Sequence, residues 1–214
     1  MDSKMYEILC FGDSNTYGWD PATGGRFNKR GRWPMILQSH LGKGYHVIEE
    51  GLTGRTMVTD DPSMPGRCGK QYLAPCLHSH KPLDLVIIML GTNDLKTAFK
   101  PSVEKLRDGM EELINVVLDV NRLYAATPAE ILLVSPIHVS DAIKNSFFFD
   151  EFGIEAIGLS KQFADIFHGL AKQYGCLYFD ASQHAVPSST DGVHLDTEGH
   201  AALAKALAVF IAAL

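Results

Sequence analysis

The sequence predicts an α/β domain in which a parallel sheet is covered by helices on both faces. Continuous apolar runs of strand length recur between longer amphipathic segments, as expected of strands with no solvent-facing side. Each run is followed by a helical pattern, so the connections are long enough to cross over and keep neighbouring strands parallel. The 214 residues also contain no long Pro/Gly/Ser linker, no block of like charges and no repeat, which makes 1–214 a single domain.

Taken in order, the expected strands are residues 7–11 (EILCF), 46–50 (HVIEE), 83–90 (LDLVIIML), 130–135 (EILLVS) and 176–180 (CLYFD). The expected helices are 33–41, about 71–80, 103–124, 154–174 and 197–213. In the last of these, Ala201, Leu203, Ala204, Leu207, Ala208 and Ile211 form one apolar face at 3.6-residue spacing, suited to packing on the sheet. The irregular segments 21–31, 60–70 and 136–153 each follow a strand or its first turn. Open α/β sheets bind ligands beyond the carboxyl ends of their strands, so the site is expected there.

Composition excludes several classes. A formal charge of -6 argues against a nucleic-acid surface, which needs clustered Lys and Arg. The one basic run, 26–32 (RFNKRGR), reads as a solvated loop. Four cysteines, Cys10, Cys68, Cys76 and Cys176, show no C-x-x-C pair and no histidine at familiar zinc spacing, so no metal is expected. Cys10 and Cys176 sit in strand-like runs as small hydrophobes, and Cys68 and Cys76 would pair only if a loop brought them together. No signal-peptide pattern opens the chain and no stretch approaches the roughly 18 apolar residues of a membrane span. A reducing, cytoplasmic location without membrane partners is expected.

Four polar clusters fall on the expected rim: FGDSN, EEGLTGRT and LGTND after the first three strands, and DGVHLD before the last helix. A serine at the start of a helical turn has an exposed hydroxyl, and Ser14 holds that position. By itself Ser14 reads first as a helix cap, the commoner fate of a serine after a strand. Its hydroxyl is a weak nucleophile until a base accepts its proton, and His194 can be that base. Three residues earlier, Asp191 can hold the imidazole Nδ1–H and leave Nε2 facing Ser14. Acyl transfer also needs hydrogen-bond donors for the tetrahedral oxyanion; Asn93 offers a side-chain N–H, and Gly54 and Ser14 offer backbone N–H groups. Asp13 is expected to be a structural partner of the turn. The other eight histidines read as surface or satisfied groups, with His138 alone on the rim.

The competing motifs are missing. Gly12-Asp13-Ser14-Asn15-Thr16 lacks the second glycine of G-x-S-x-G, and the serine follows the first strand, unlike an α/β-hydrolase. Neither G-x-G-x-x-G nor a P-loop follows the first strand.

Together the four motifs resemble the four sequence blocks of the SGNH (GDSL-type) hydrolase superfamily: GDS at 12–14, Gly54, GTND at 91–94 and D-x-x-H at 191–194. The resemblance implies a flavodoxin-like three-layer α/β/α fold with a five-stranded parallel sheet in the order 2-1-3-4-5. It further implies Ser14 as nucleophile and donor, Gly54 and Asn93 as the other donors, and His194 with Asp191 completing a triad. ILCFGDS, VIEEGLTGRT, DDP and PLDLVIIMLGTNDLK are similar to the small arylesterase/acyltransferase branch, which implies short acyl esters and a homo-oligomer.

The expected function is a serine esterase acting on a small-molecule ester through an acyl-enzyme, with acyl transfer to alcohols as a variant and no metal or organic cofactor. The alternatives are an O-deacetylase of carbohydrates or other small molecules, a thioesterase, and a binding module without turnover. Loops 21–32 and 137–152 match no motif. The aromatic run 147–149 can shape an acyl pocket, form an intersubunit contact or pack on its own domain.

Overall fold

The computed structural model of the protein describes residues 5–123 and 128–214. Five parallel strands, β1 (Tyr6–Gly12), β2 (Tyr45–Gly51), β3 (Leu85–Met89), β4 (Glu130–Ser135) and β5 (Leu177–Asp180), lie in the order β2-β1-β3-β4-β5. This is the expected flavodoxin-like order. The chain leaves β1 for β2 on one side and later returns to pair β3 on the other. The carboxyl end of β1 is therefore the topological switch point, where such sheets open a crevice.

Side-chain alternation sends each apolar run to two cores at once. Ile8, Cys10, Leu85, Ile87, Leu132 and Val134 face α2 (Trp33–Leu41) and α8 (Thr197–Ile211). Leu9, Phe11, Val86, Ile88 and Leu133 face α3 (Gly69–His80), α4 (Val103–Leu123) and α7 (Phe163–Tyr174). With both faces covered, truncating a residue such as Ile87, which is fully buried, costs about 2–5 kcal/mol. On α4 the spacing of Leu106, Met110, Leu113 and Val117 supplies the buried stripe. Asp196 caps α8 by accepting the Gly199 N–H at 2.9 Å, satisfying one first-turn donor.

Shorter helices sit at the carboxyl rim: α1 (Ser14–Tyr17), α5 (Phe149–Phe152) and α6 (Glu155–Ser160). The single helix expected over 154–174 is instead split into α6 and α7. Ser160 is fully buried, and its hydroxyl donates to the Ile157 carbonyl while accepting the Val139 N–H. That side chain ties the turn to the β4 exit and competes with the helical ladder. The last residue of the helix expected over 103–124, Tyr124, lies outside the described residues.

The basic run is not uniformly solvated. Arg32 is buried and makes a two-point contact with the Glu49 carboxylate, at 2.8 and 2.6 Å, and Arg26 stacks over the Tyr17 ring. All four cysteines are free. No helix among the described residues is long and apolar enough to cross a membrane.

Candidate active site

β1 ends at Gly12, and the chain turns at once into α1. Asp13 caps this turn, its Oδ1 accepting the Asn15 N–H at 2.9 Å, which is the structural part expected of it. Burial raises the Asp13 carboxyl to about 6. Ser14 follows as the first residue of α1, where no preceding helical carbonyl accepts its N–H. Gly51 makes room for this turn, since a Cβ there would lie 2.1 Å from the Tyr17 nitrogen.

The loop before α8 delivers the imidazole. His194 Nε2 lies 2.9 Å from Ser14 Oγ, and Nδ1 lies 2.7 Å from Asp191 Oδ2. Asp191 Oδ1 accepts the backbone N–H groups of Val193 and His194, both at 2.9 Å. Burial alone would raise the Asp191 carboxyl, but the hydrogen bonds from His194 and Val193 outweigh it and hold the group below its ordinary value. An ionised Asp191 fixes the Nδ1–H tautomer, which leaves Nε2 to accept from the serine hydroxyl. Gly192 takes φ +73°, and a Cβ there would meet the Ile143 nitrogen at 2.4 Å, so this tight loop admits no larger residue.

Asn15 was not singled out by the sequence reading. Its Nδ2 donates to the Val193 carbonyl at 3.3 Å and its Oδ1 accepts the Leu195 N–H at 2.8 Å. One side chain beside Ser14 thus holds both neighbours of His194. The two partners are 178 and 180 residues away in the chain, and no local signal reveals them.

Asn93 lies in the short 3-10 turn Thr92–Leu95 after β3. Its Nδ2 donates one hydrogen to the Arg55 carbonyl at 3.1 Å and keeps a second for a ligand. Gly54 has φ +74°, a left-handed conformation that favours glycine. Arg55, a second residue the sequence reading passed over, braces this loop. Its Nη1 donates to the carbonyls of Gly12 and Glu50, and its guanidinium lies 4.2 Å over the Phe11 ring. Asp94 accepts the Met57 N–H with both oxygens at 3.0 Å, and burial raises its carboxyl to about 7.

Ser14, Gly54, Asn93 and His194 line one cavity of about 180 Å³, smaller than the roughly 300–1,000 Å³ of sites for drug-sized ligands. Its walls include Trp19 and Phe148, whose ring centroids lie 5.7 and 5.2 Å from that of His194. On the rim, Lys96 pairs with Glu151 at 2.8 Å and approaches Asp61 at 4.0 Å. The fold therefore brings all five expected residues, Ser14, Gly54, Asn93, Asp191 and His194, to one place. His138 is not among those lining the cavity. His200 is fully buried, takes the Trp33 N–H on Nδ1, and is lowered by burial to about 4, so it is a neutral structural group.

Such an arrangement can move a proton from a serine hydroxyl to an imidazole while presenting N–H donors to a developing oxyanion, the geometry of acyl transfer. The chain belongs to the GDSL-like lipase/acylhydrolase family, whose model matches residues 10–202. Solved structures resemble it across nearly its whole length, among them the following two. The aryl esterase of M. smegmatis is 36% identical with a TM-score of 0.91, covering 98% of this chain and 99% of the other. Est24, a carbohydrate acetylesterase from Sinorhizobium meliloti, is also 36% identical with a TM-score of 0.91, over 97% and 99%. An acetylxylan esterase from Xylanibacter ruminicola is 30% identical over 95% of this chain, which spans only 42% of that protein.

Proposed function

We propose that the protein is a serine esterase that hydrolyses short-chain acyl or aryl esters through an acyl-enzyme, with transfer to alcohols as a second outlet. The observation that carries this is the 2.9 Å approach of Ser14 Oγ to His194 Nε2 at the mouth of a cavity shared with Gly54 and Asn93.

In this reading His194 Nε2 takes the Ser14 proton as Oγ bonds to the ester carbonyl carbon, and the carbonyl oxygen becomes an oxyanion held by the N–H groups of Ser14, Gly54 and Asn93. Collapse breaks the bond to the alkoxy group, which leaves with the proton from His194. Water or an alcohol then gives its proton to His194 and attacks the acyl carbon, and Ser14 leaves with that proton. Asp191 stays ionised and orients the ring.

The small cavity favours short acyl groups. A series of p-nitrophenyl esters of rising acyl length, run with and without added alcohol, tests the proposal. Acetate is expected to react fastest, and alcohol to divert part of the acyl group into a new ester. Equal nitrophenol release by the wild type and Ser14→Ala would leave a binding module without turnover.

A second reading, deacetylation of a carbohydrate, has support from the activities named for two relatives. Acetate release from acetylated xylo-oligosaccharides, compared with that from aryl acetates, decides between the two.

A further inference from the structure

Away from the cavity, the carboxyl end of β2 meets one face of α3. Glu50 comes from the strand, while Cys76 and His80 come from the helix four residues apart, a spacing that places both side chains on one face. One carboxylate oxygen, the Cys76 sulfur and an imidazole nitrogen all lie within 4.8 Å of one another. His80 Nε2 hydrogen-bonds Glu50 Oε1 at 2.8 Å, with 30% and 18% of the two side chains exposed, whereas Cys76 is buried. The cluster is thus closed behind the sulfur and open to solvent at the histidine.

We propose that Glu50, Cys76 and His80 bind a borderline-soft divalent cation of the zinc type, with water at a fourth position. Sulfur and imidazole ligands disfavour calcium and magnesium, which take oxygen, and suit zinc. Zinc bonds of about 2.0–2.3 Å place tetrahedral ligand atoms roughly 3.3–3.8 Å apart. The sulfur therefore has to draw nearer to the other two atoms by up to about 1.5 Å, while the Glu50 oxygen and His80 nitrogen, now 2.8 Å apart, open by roughly 0.5 Å, movements that side-chain rotation at Glu50 and His80 supplies.

Binding exchanges the Glu50–His80 hydrogen bond for two metal bonds and releases the Cys76 thiol proton to solvent. Burial and the Glu50 charge push that thiol up to about 12, so binding tightens as pH rises. The other groups facing the cluster are Tyr72 and Arg55. The Arg55 guanidinium donates from Nη1 to the Gly12 and Glu50 backbone carbonyls and lies over the Phe11 ring, and its charge acts on both Glu50 and Cys76, favouring the thiolate. Because Glu50 directly precedes Gly51, which packs against the Tyr17 backbone, a bound ion would fasten α3 to the strand end that supports α1.

The test is a cobalt titration of the full chain after chelator treatment and desalting, at about pH 7.5 where thiolate–metal bonds form. One equivalent of cobalt should produce a near-ultraviolet thiolate-to-metal absorption band that zinc abolishes by displacement. Cys76→Ala should remove the band, His80→Ala should weaken cobalt binding by about tenfold or more, and Cys68→Ala and Cys176→Ala should keep the band. Zinc should raise the melting temperature of the wild type and not that of His80→Ala. Near-ultraviolet circular dichroism verifies that each variant is folded; should Cys76→Ala fail this check, His80→Ala and Glu50→Gln decide. No band in folded wild type, or a band that survives Cys76→Ala, would reduce the cluster to a histidine–carboxylate pair over a buried thiol and overturn the proposal.

Discussion

Asn15 accepts the backbone N–H of Leu195 at 2.8 Å, so the residue after Ser14 holds the residue after His194. With the second bond to Val193, this clasp fixes how closely the imidazole approaches the hydroxyl. Misplacing a reacting group by about 1 Å can cost about 100-fold in rate. Asn15→Ala is therefore expected to lower kcat on p-nitrophenyl acetate by about 10- to 100-fold with KM little changed. Asn15→Asp keeps the acceptor for Leu195, loses the donor to Val193, and should fall between. An unchanged kcat in folded Asn15→Ala would show that the His194 loop holds its place without the clasp.

Asn93 is expected to serve the transition state rather than ground-state binding. Removing one oxyanion donor costs about 100- to 1000-fold in kcat, so Asn93→Ala should show that loss with KM within about threefold of wild type. A rise in KM at constant kcat would assign Asn93 to substrate binding instead.

Much of this architecture is legible in the sequence, and the reasons are local. Runs such as ILCF and LVIIM are apolar at every position because β1 and β3 are buried on both faces, and Asp191 and His194 meet within one turn of loop. What is not legible depends on distant contacts. Ile8 and Leu9 are equally apolar, so only the fold assigns them to opposite cores. The break at Ser160 needs the Val139 N–H from another element, and the burial of Arg32 needs Glu49. The meeting of Cys76 and His80 with Glu50 escapes any motif because the first two lie on α3 and the third on β2.

Stability should carry a pH signature from two buried acids. Burial raises Asp13 to about 6 and Asp94 to about 7, above an unfolded value near 4. The folded chain keeps these protons where the unfolded chain has released them. Their contribution is thus fully present below about pH 4 and lost as pH rises through 6 and 7, by up to about 3–4 kcal/mol each. His200, lowered to about 4, acts oppositely and loses stability as pH falls from about 6.5 to 4. Asp94→Asn removes one acidic term, so its urea midpoint should gain on wild type between pH 4.5 and about pH 8. Parallel midpoint curves for the two proteins would contradict the raised carboxyl.

Phe148 and Phe147 should separate in function. The Phe148 ring packs 5.2 Å from His194, whereas Phe147 is 86% exposed. Phe148→Ala enlarges the cavity and should raise the ratio of butyrate to acetate ester hydrolysis by about tenfold, the scale of a buried methylene or two. Phe147→Ser should leave that ratio unchanged and, if the exposed ring joins subunits of the proposed homo-oligomer, shift the mass in light scattering to smaller species. An unaltered ratio in Phe148→Ala would remove that ring from the acyl pocket.

The most direct measurement is the site of the covalent intermediate. Wild-type protein mixed with p-nitrophenyl acetate, quenched in acid within the first turnover and digested, should show one acetyl group on the peptide that carries Ser14. Ser14→Ala should show none and should release nitrophenol at the rate of the uncatalysed reaction. Acetyl found on another residue, or full turnover by Ser14→Ala, would contradict the assignment of Ser14 as the group that attacks the ester.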